Sequence, residues 1–249
     1  MPGLFRTSNA ALNSRTFEGR QAVAGADAMT LQGTVNKTGV LLVCVFVSSA
    51  WTWGLARSES PQSALPWVWG GVIGGLVFAL ATIFKKEWSP FTAPIYALFE
   101  GLVLGGISSL LDQAFPGIAI HAVALTFGTL AVMLLAYTTG MIRATEKFKV
   151  GVFAATGGIA LVYLVDMGLR LFGRRVPLIN DAGPWGIVVS LVIVAVAALN
   201  LILDFDFVET GVHVGAAKYM EWYGAFGIMV TLIWLYMEIL RLLSKVRRR

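Results

Sequence analysis

Seven long apolar stretches, lying between residues 39 and 243, constrain this chain more than anything else in it. A hydrocarbon core about 30 Å thick takes roughly 20 helical residues to cross. The stretches cover approximately residues 39–56, 66–84, 91–112, 118–142, 149–172, 184–207 and 223–243. Each is continuously apolar rather than alternating every second residue, so the spacing predicts helices and argues against an outer-membrane barrel. Composition points the same way, since 57% apolar residues, 13% charged residues and a mean hydropathy of +0.76 exceed what a soluble core can hide. The expected fold class is an all-α membrane protein, a seven-transmembrane-helix bundle over residues 36–245. A polar tail at 1–35, expected to be disordered, precedes it, and a short basic end at 246–249 follows.

The tail carries three arginines and no apolar core segment, so it does not read as a cleavable signal peptide. The single cysteine, Cys44, excludes an intramolecular disulfide and a cysteine-based metal cage, and reads as a packing residue. Lysines and arginines divide almost evenly between the two sides, ten on the N-terminal side against nine opposite. The weight of the first helix favours a cytoplasmic N-terminus, and a six-span form with a re-entrant last segment stands as the alternative. The net charge of +5 gathers at span ends rather than on one soluble face, which implies anionic lipid and no nucleic acid. Trp51, Trp53, Trp67, Trp69, Trp88, Trp185 and Trp222 fall toward predicted boundaries, as interfacial anchors do, while Trp234 falls mid-span.

Glycine is abundant, with 27 residues, many inside spans, as in Gly70 to Gly75, Gly101 to Gly106, and Gly157 and Gly158. Such strings let helix backbones approach closely, and tight packing is the favoured explanation over helices that slide.

Ionisable residues inside spans are few and costly. Glu100 falls near the middle of the third stretch, where it must face protein or water. Asp166 and Arg170 are one helical turn apart and read as a structural pair. Asp112, His121, Lys85, Lys86 and Glu87 sit at predicted boundaries, where solvated side chains need no function. The sixth stretch closes on Asp204 and Asp206, whose two-residue spacing turns them to opposite sides of a helix. In the last stretch Glu238 precedes Arg241 by one turn. Two readings of Glu238 are open: a pair with Arg241 within its own helix, or a meeting with a sixth-span aspartate, where two buried carboxylates would titrate jointly.

The segments KKEWSPFTAPIYALFEGLVLGGIS, LILDFDF and LYMEILRLL, set in a seven-span layout, resemble the Bax inhibitor family and its bacterial YccA-like branch. The resemblance covers the spans and leaves out the tail. It implies a seven-helix fold with the last helix central, and a pH-responsive calcium leak gated by a carboxylate pair between helices six and seven. Carried onto this sequence, the sixth-span partner is Asp204 or Asp206 and the seventh-span partner is Glu238, where the family carries Asp. Lys85 or Lys86 would supply a basic contact to the latch, and Arg241 is a further candidate. The stretch from Phe207 to Met237 is longer than the family's, so equal depth for the two acids requires the sixth helix to continue past Glu209.

Calcium suits this picture as a permeant ion passing Asp204, Asp206, Glu238 and Glu100, since it takes oxygen ligands with irregular geometry. No cofactor or resident metal site is expected. Catalysis is not expected either: the surroundings of the aspartates lack the GxGD pattern of intramembrane proteases, and the chain has only His121 and His213. A retinal protein is excluded by the absence of lysine from residues 223–243. The competing reading is a regulator that passes nothing and binds a membrane protease or a stress-pathway protein.

Overall fold

The computed structural model describes residues 27–58, 60–174, 176 and 181–248. Residues 1–26 of the expected disordered tail lie outside the described residues. Among the described residues seven helices are long and apolar enough to cross a membrane. They are α1 (Leu31–Ser58), α2 (Leu65–Phe84), α3 (Ser89–Ala114), α4 (Ile118–Thr138), α5 (Glu146–Leu171), α6 (Pro184–His213) and α7 (Met220–Arg247). The chain is an all-α membrane protein, with no strand among the described residues beyond a single bridge between Ala28 and Ala217.

Most of these helices outrun the apolar stretches that announce them. Polar residues at a helix end reach the headgroup region, so hydropathy marks the buried length while the backbone keeps its hydrogen bonds further. Thus α1 starts at Leu31, ahead of residue 39, and α6 runs on through Glu209 to His213. Local chemistry sets the ends. Pro66 and Pro90 occupy the first turns of α2 and α3, where an amide hydrogen would have no partner. Thr145 caps α5, its side chain accepting from the Phe148 amide at 3.3 Å. Gly215, at a φ of 65°, ends α6 in the left-handed conformation that glycine adopts without strain.

The described residues form two compact units, one made of 27–119 and 206–230, the other of 120–205 and 231–248. In the first, α1, α2 and α3 pack through glycine. A methyl group on Gly101 would strike the Val45 carbonyl, and one on Gly105 the Ser49 carbonyl. On α2, a Gly71 methyl would come within 2.7 Å of the Phe99 carbonyl. The Ser49 hydroxyl donates to the Gly101 carbonyl at 3.0 Å, in place of the apolar contacts a side chain would give. Arg57 and Asp112 tie the far ends of α1 and α3 at 2.5 Å. The segment before α1 is pinned to the turn before α7: the Met29 amide donates to the Ala216 carbonyl and the Lys218 amide to the Asp27 carbonyl. Glu221, wholly shielded, accepts from the Thr30 amide and hydroxyl and pairs with Lys37 and Lys218.

In the second unit, α4 and α5 join the earlier part of α6 and the later part of α7. Asn200 on α6 donates to Thr156 on α5 at 2.9 Å. Asp166 and Arg170 form the expected one-turn pair at 2.8 Å, and Asp166 also receives the Val176 amide. Outward faces of both units carry Val, Leu and Phe at high exposure, among them Leu161, Leu164, Val165 and Leu171 on α5. Water would not tolerate such a surface, and lipid requires it.

Candidate functional site

Glu238 on α7 is 1% exposed, and its carboxylate is closed by named donors. The Tyr163 hydroxyl on α5 donates to Oε1 at 2.7 Å, and the Trp234 indole, one turn earlier on α7, donates to the same oxygen at 3.3 Å. Arg241 Nη1 reaches both oxygens, at 3.1 and 3.0 Å. The guanidinium also donates to the Tyr163 hydroxyl and lies 4.9 Å from the centre of its ring. A buried carboxylate is tolerable when paired and hydrogen-bonded in this way. Of the two sequence readings, the intrahelical pair is present, and an aromatic residue of α5 completes it.

Asp204 on α6 is 0% exposed, among the buried Leu201, Ile202, Leu203 and Phe207. Helix register sets it apart from Glu238. Lys245 on α7 donates to the Gly186 carbonyl at 3.0 Å and to the Ser190 hydroxyl at 2.7 Å, both on α6. Seven residues before Lys245, Glu238 then stands level with α6 some two turns or more short of Asp204. At about 1.5 Å per residue the separation is roughly 10–16 Å along the axes. Helix α5 gives the same answer: Tyr163 touches Glu238, Thr156 seven residues earlier touches Asn200, and Asp204 lies a further turn on.

The register of α6 and α7 argues against a direct pair between Asp204 and Glu238. Continuation of α6 past Glu209 does occur, but it does not bring the acids to one depth, and two short side chains cannot span the difference. The unit holds two separate acidic positions.

The remaining candidates are placed as follows. Asp206 is half-buried, turned away from Asp204 by the helix, and belongs to the other unit. Glu100 on α3 is half-buried, accepts from the Tyr96 hydroxyl, and lies 3.0 Å from where a methyl on Gly75 of α2 would stand. Tyr96 in turn packs edge-on against Phe226, with ring centres 5.0 Å apart. Lys85 is exposed at the end of α2, and the Lys86 ammonium sits 5.7 Å from the centre of the Tyr223 ring.

Sequence reasoning missed Tyr163, whose partner is 75 residues away, and Trp234, whose indole faces the acid. Lys245, which entered only the count of basic residues, is buried against α6. Among the described residues no group of three or more His, Cys, Asp and Glu side chains is arranged to hold a metal ion.

Residues 9–248 match the family described as Bax inhibitor 1 like. The chain belongs to the Bax inhibitor family. The match runs through all seven helices and takes in Asp204, Glu238 and the groups around them, so the whole candidate site lies within the Bax inhibitor region. No curated protein and no solved structure matches the chain.

Proposed function

We propose that this Bax inhibitor family chain is a pH-sensitive leak pathway for cations, calcium among them, with Asp204 as its proton-responsive group. The observation that supports this reading is a carboxyl side chain with no exposure on a membrane-spanning helix. Ionisable groups at such depth mark ion or proton paths, because the cost of burial is otherwise avoidable. Protons and cations share the oxygen ligands, so protonation and permeation are coupled. Calcium is cargo in this scheme. No resident cofactor and no catalytic step are assigned, and the setting is a bacterial inner membrane with the N-terminus in the cytoplasm. Glu100 and Asp206 are further candidate acids, carried by the other unit.

The test is calcium flux into proteoliposomes at intervals between about pH 5 and 8. Asp204→Asn is expected to abolish the pH dependence, while Asp206→Asn preserves it. Glu238→Gln is expected to leave the pH profile in place and change its amplitude, because Glu238 is closed by its own arginine. Equal loss of pH dependence in Asp204→Asn and Glu238→Gln would restore a joint latch. Flux of the native chain no greater than that of empty vesicles removes the leak reading altogether.

One observation favours a second reading, a non-channel regulator that binds a membrane protease or a stress-pathway protein. The closure of Glu238 by Tyr163, Trp234 and Arg241 is what an acid kept for folding alone would show.

A further inference from the structure

Two ion pairs of the second unit share an asymmetry. In the Asp166–Arg170 pair the aspartate side chain is 7% exposed and the arginine 50%; in the Glu238–Arg241 pair the glutamate is 2% exposed and the arginine 37%. Each acid is sealed inside, and each guanidinium is turned outward. Tyr163 relates the two arginines by sequence and contact. Arg241 stacks on that ring, and Arg170 follows Tyr163 on α5 by seven residues, two turns along the same face. That is about 10 Å, and arginine side chains on a helix lean back toward its N-terminus, which brings Arg170 nearer Tyr163.

The depth is that of lipid headgroups. Lys245, one turn beyond Arg241, bonds to Gly186 in the first turn of α6, and Arg170 is the penultimate residue of α5. Trp185, 73% exposed at the start of α6, marks the same level, where indoles collect at a membrane interface. The surrounding surface of α5 is lipid-facing, with Met167, Leu171 and Phe172 exposed. A guanidinium carries five N–H donors, and the contacts of Arg241 to Glu238 and Tyr163 all run through Nη1.

We propose that the outer face of α5 and α7 around Arg170, Arg241 and Tyr163 is a binding site for the headgroup of an anionic phospholipid. The two guanidiniums take the phosphate oxygens, as planar forks suited to them, and the acyl chains lie on the apolar face of α5. The buried acids hold the guanidiniums in place, so little side-chain freedom remains to be lost on binding.

The experiment is native mass spectrometry of the full-length chain in detergent, titrated with phosphatidylglycerol and with phosphatidylcholine of the same acyl chains. The wild-type chain is expected to retain phosphatidylglycerol on the order of ten-fold more tightly. Removing both arginines alone would strand two buried carboxylates and could unfold the unit. The variant used is therefore D166N/R170Q/E238Q/R241Q, which neutralises acids and arginines together, with folding checked by circular dichroism. Its preference should fall to about one-fold. The control R57Q/D112N, which neutralises the Arg57–Asp112 pair of the other unit in the same way, should keep the preference. The proposal is overturned if the quadruple variant still prefers phosphatidylglycerol, if R57Q/D112N loses the preference equally, or if millimolar inorganic phosphate displaces the lipid from the native chain.

Discussion

At the level of single residues, a glycine in a membrane helix has a meaning only its neighbours reveal. Gly70 and Gly71 are adjacent in one string, yet a methyl on Gly70 meets nothing within 4 Å while one on Gly71 meets the backbone of α3. The favoured expectation of tight packing holds for Gly71, Gly101 and Gly105 and finds no support at Gly157 and Gly158, which have open space around them. Sequence could not separate these because the rotation of a helix about its axis is set by its partners, and apolar residues surround the glycine in every case. A sharp contrast follows. Gly105→Val should force α1 and α3 apart and lower the apparent thermal midpoint in detergent by several degrees, an overpacking cost of about 1–3 kcal/mol. Gly157→Val should change the midpoint little. Equal midpoints for the two variants would mean that the α1–α3 contact contributes nothing to stability. The buried acids teach a related lesson. Asp204 and Glu238 were legible as costly residues from their place in apolar runs, but their partners were not, since Tyr163 reaches Glu238 across 75 residues of sequence.

At the level of elements, the helices were legible and their fastenings were not. Hydropathy reports burial in lipid, so it located seven helices while missing the polar turns by which α1 and α6 extend beyond it. It was silent on the clip at Glu221, because Thr30 and Lys37 lie at the opposite end of the chain. That clip joins the start of α1 to the first turn of α7 within one unit, through bonds to both carboxylate oxygens. Losing a hydrogen bond to a charged group costs about 1.5–3 kcal/mol, more than an exposed pair. Glu221→Ala should therefore free the segment at 27–37 without melting the remaining helices. Hydrogen exchange read by mass spectrometry would show faster exchange confined to that segment and the turn at 214–219. Exchange unchanged there would assign the hold to the Met29 and Lys218 backbone bonds instead. Lys245 is the corresponding fastening in the other unit. Lys245→Met keeps the apolar stem but leaves the Gly186 carbonyl and the Ser190 hydroxyl without their donor, so the last turns of α7 should exchange faster as well.

At the level of the whole molecule, an odd number of crossings separates the termini, and the nearly even distribution of lysine and arginine gave that conclusion no help. The last helix decides between seven crossings and six. Met220–Arg247 is an uninterrupted helix of 28 residues, which at 1.5 Å each is about 42 Å, longer than the roughly 30 Å of hydrocarbon to be crossed. A re-entrant segment must reverse within the membrane, and an unbroken helix supplies no residue at which to do so. Cys44 makes the point testable with little engineering. In a Cys44→Ser background, single cysteines placed at residue 3 and at residue 248 should label from opposite sides of sealed vesicles with a membrane-impermeant maleimide. Labelling from one side only would require six crossings, and would put the arginines near the end of α7 on the same membrane face as those of the N-terminal tail. Opposite labelling keeps the outward arginines of α5 and α7 at the leaflet away from the N-terminus, which is where an anionic lipid would have to be supplied to reach them.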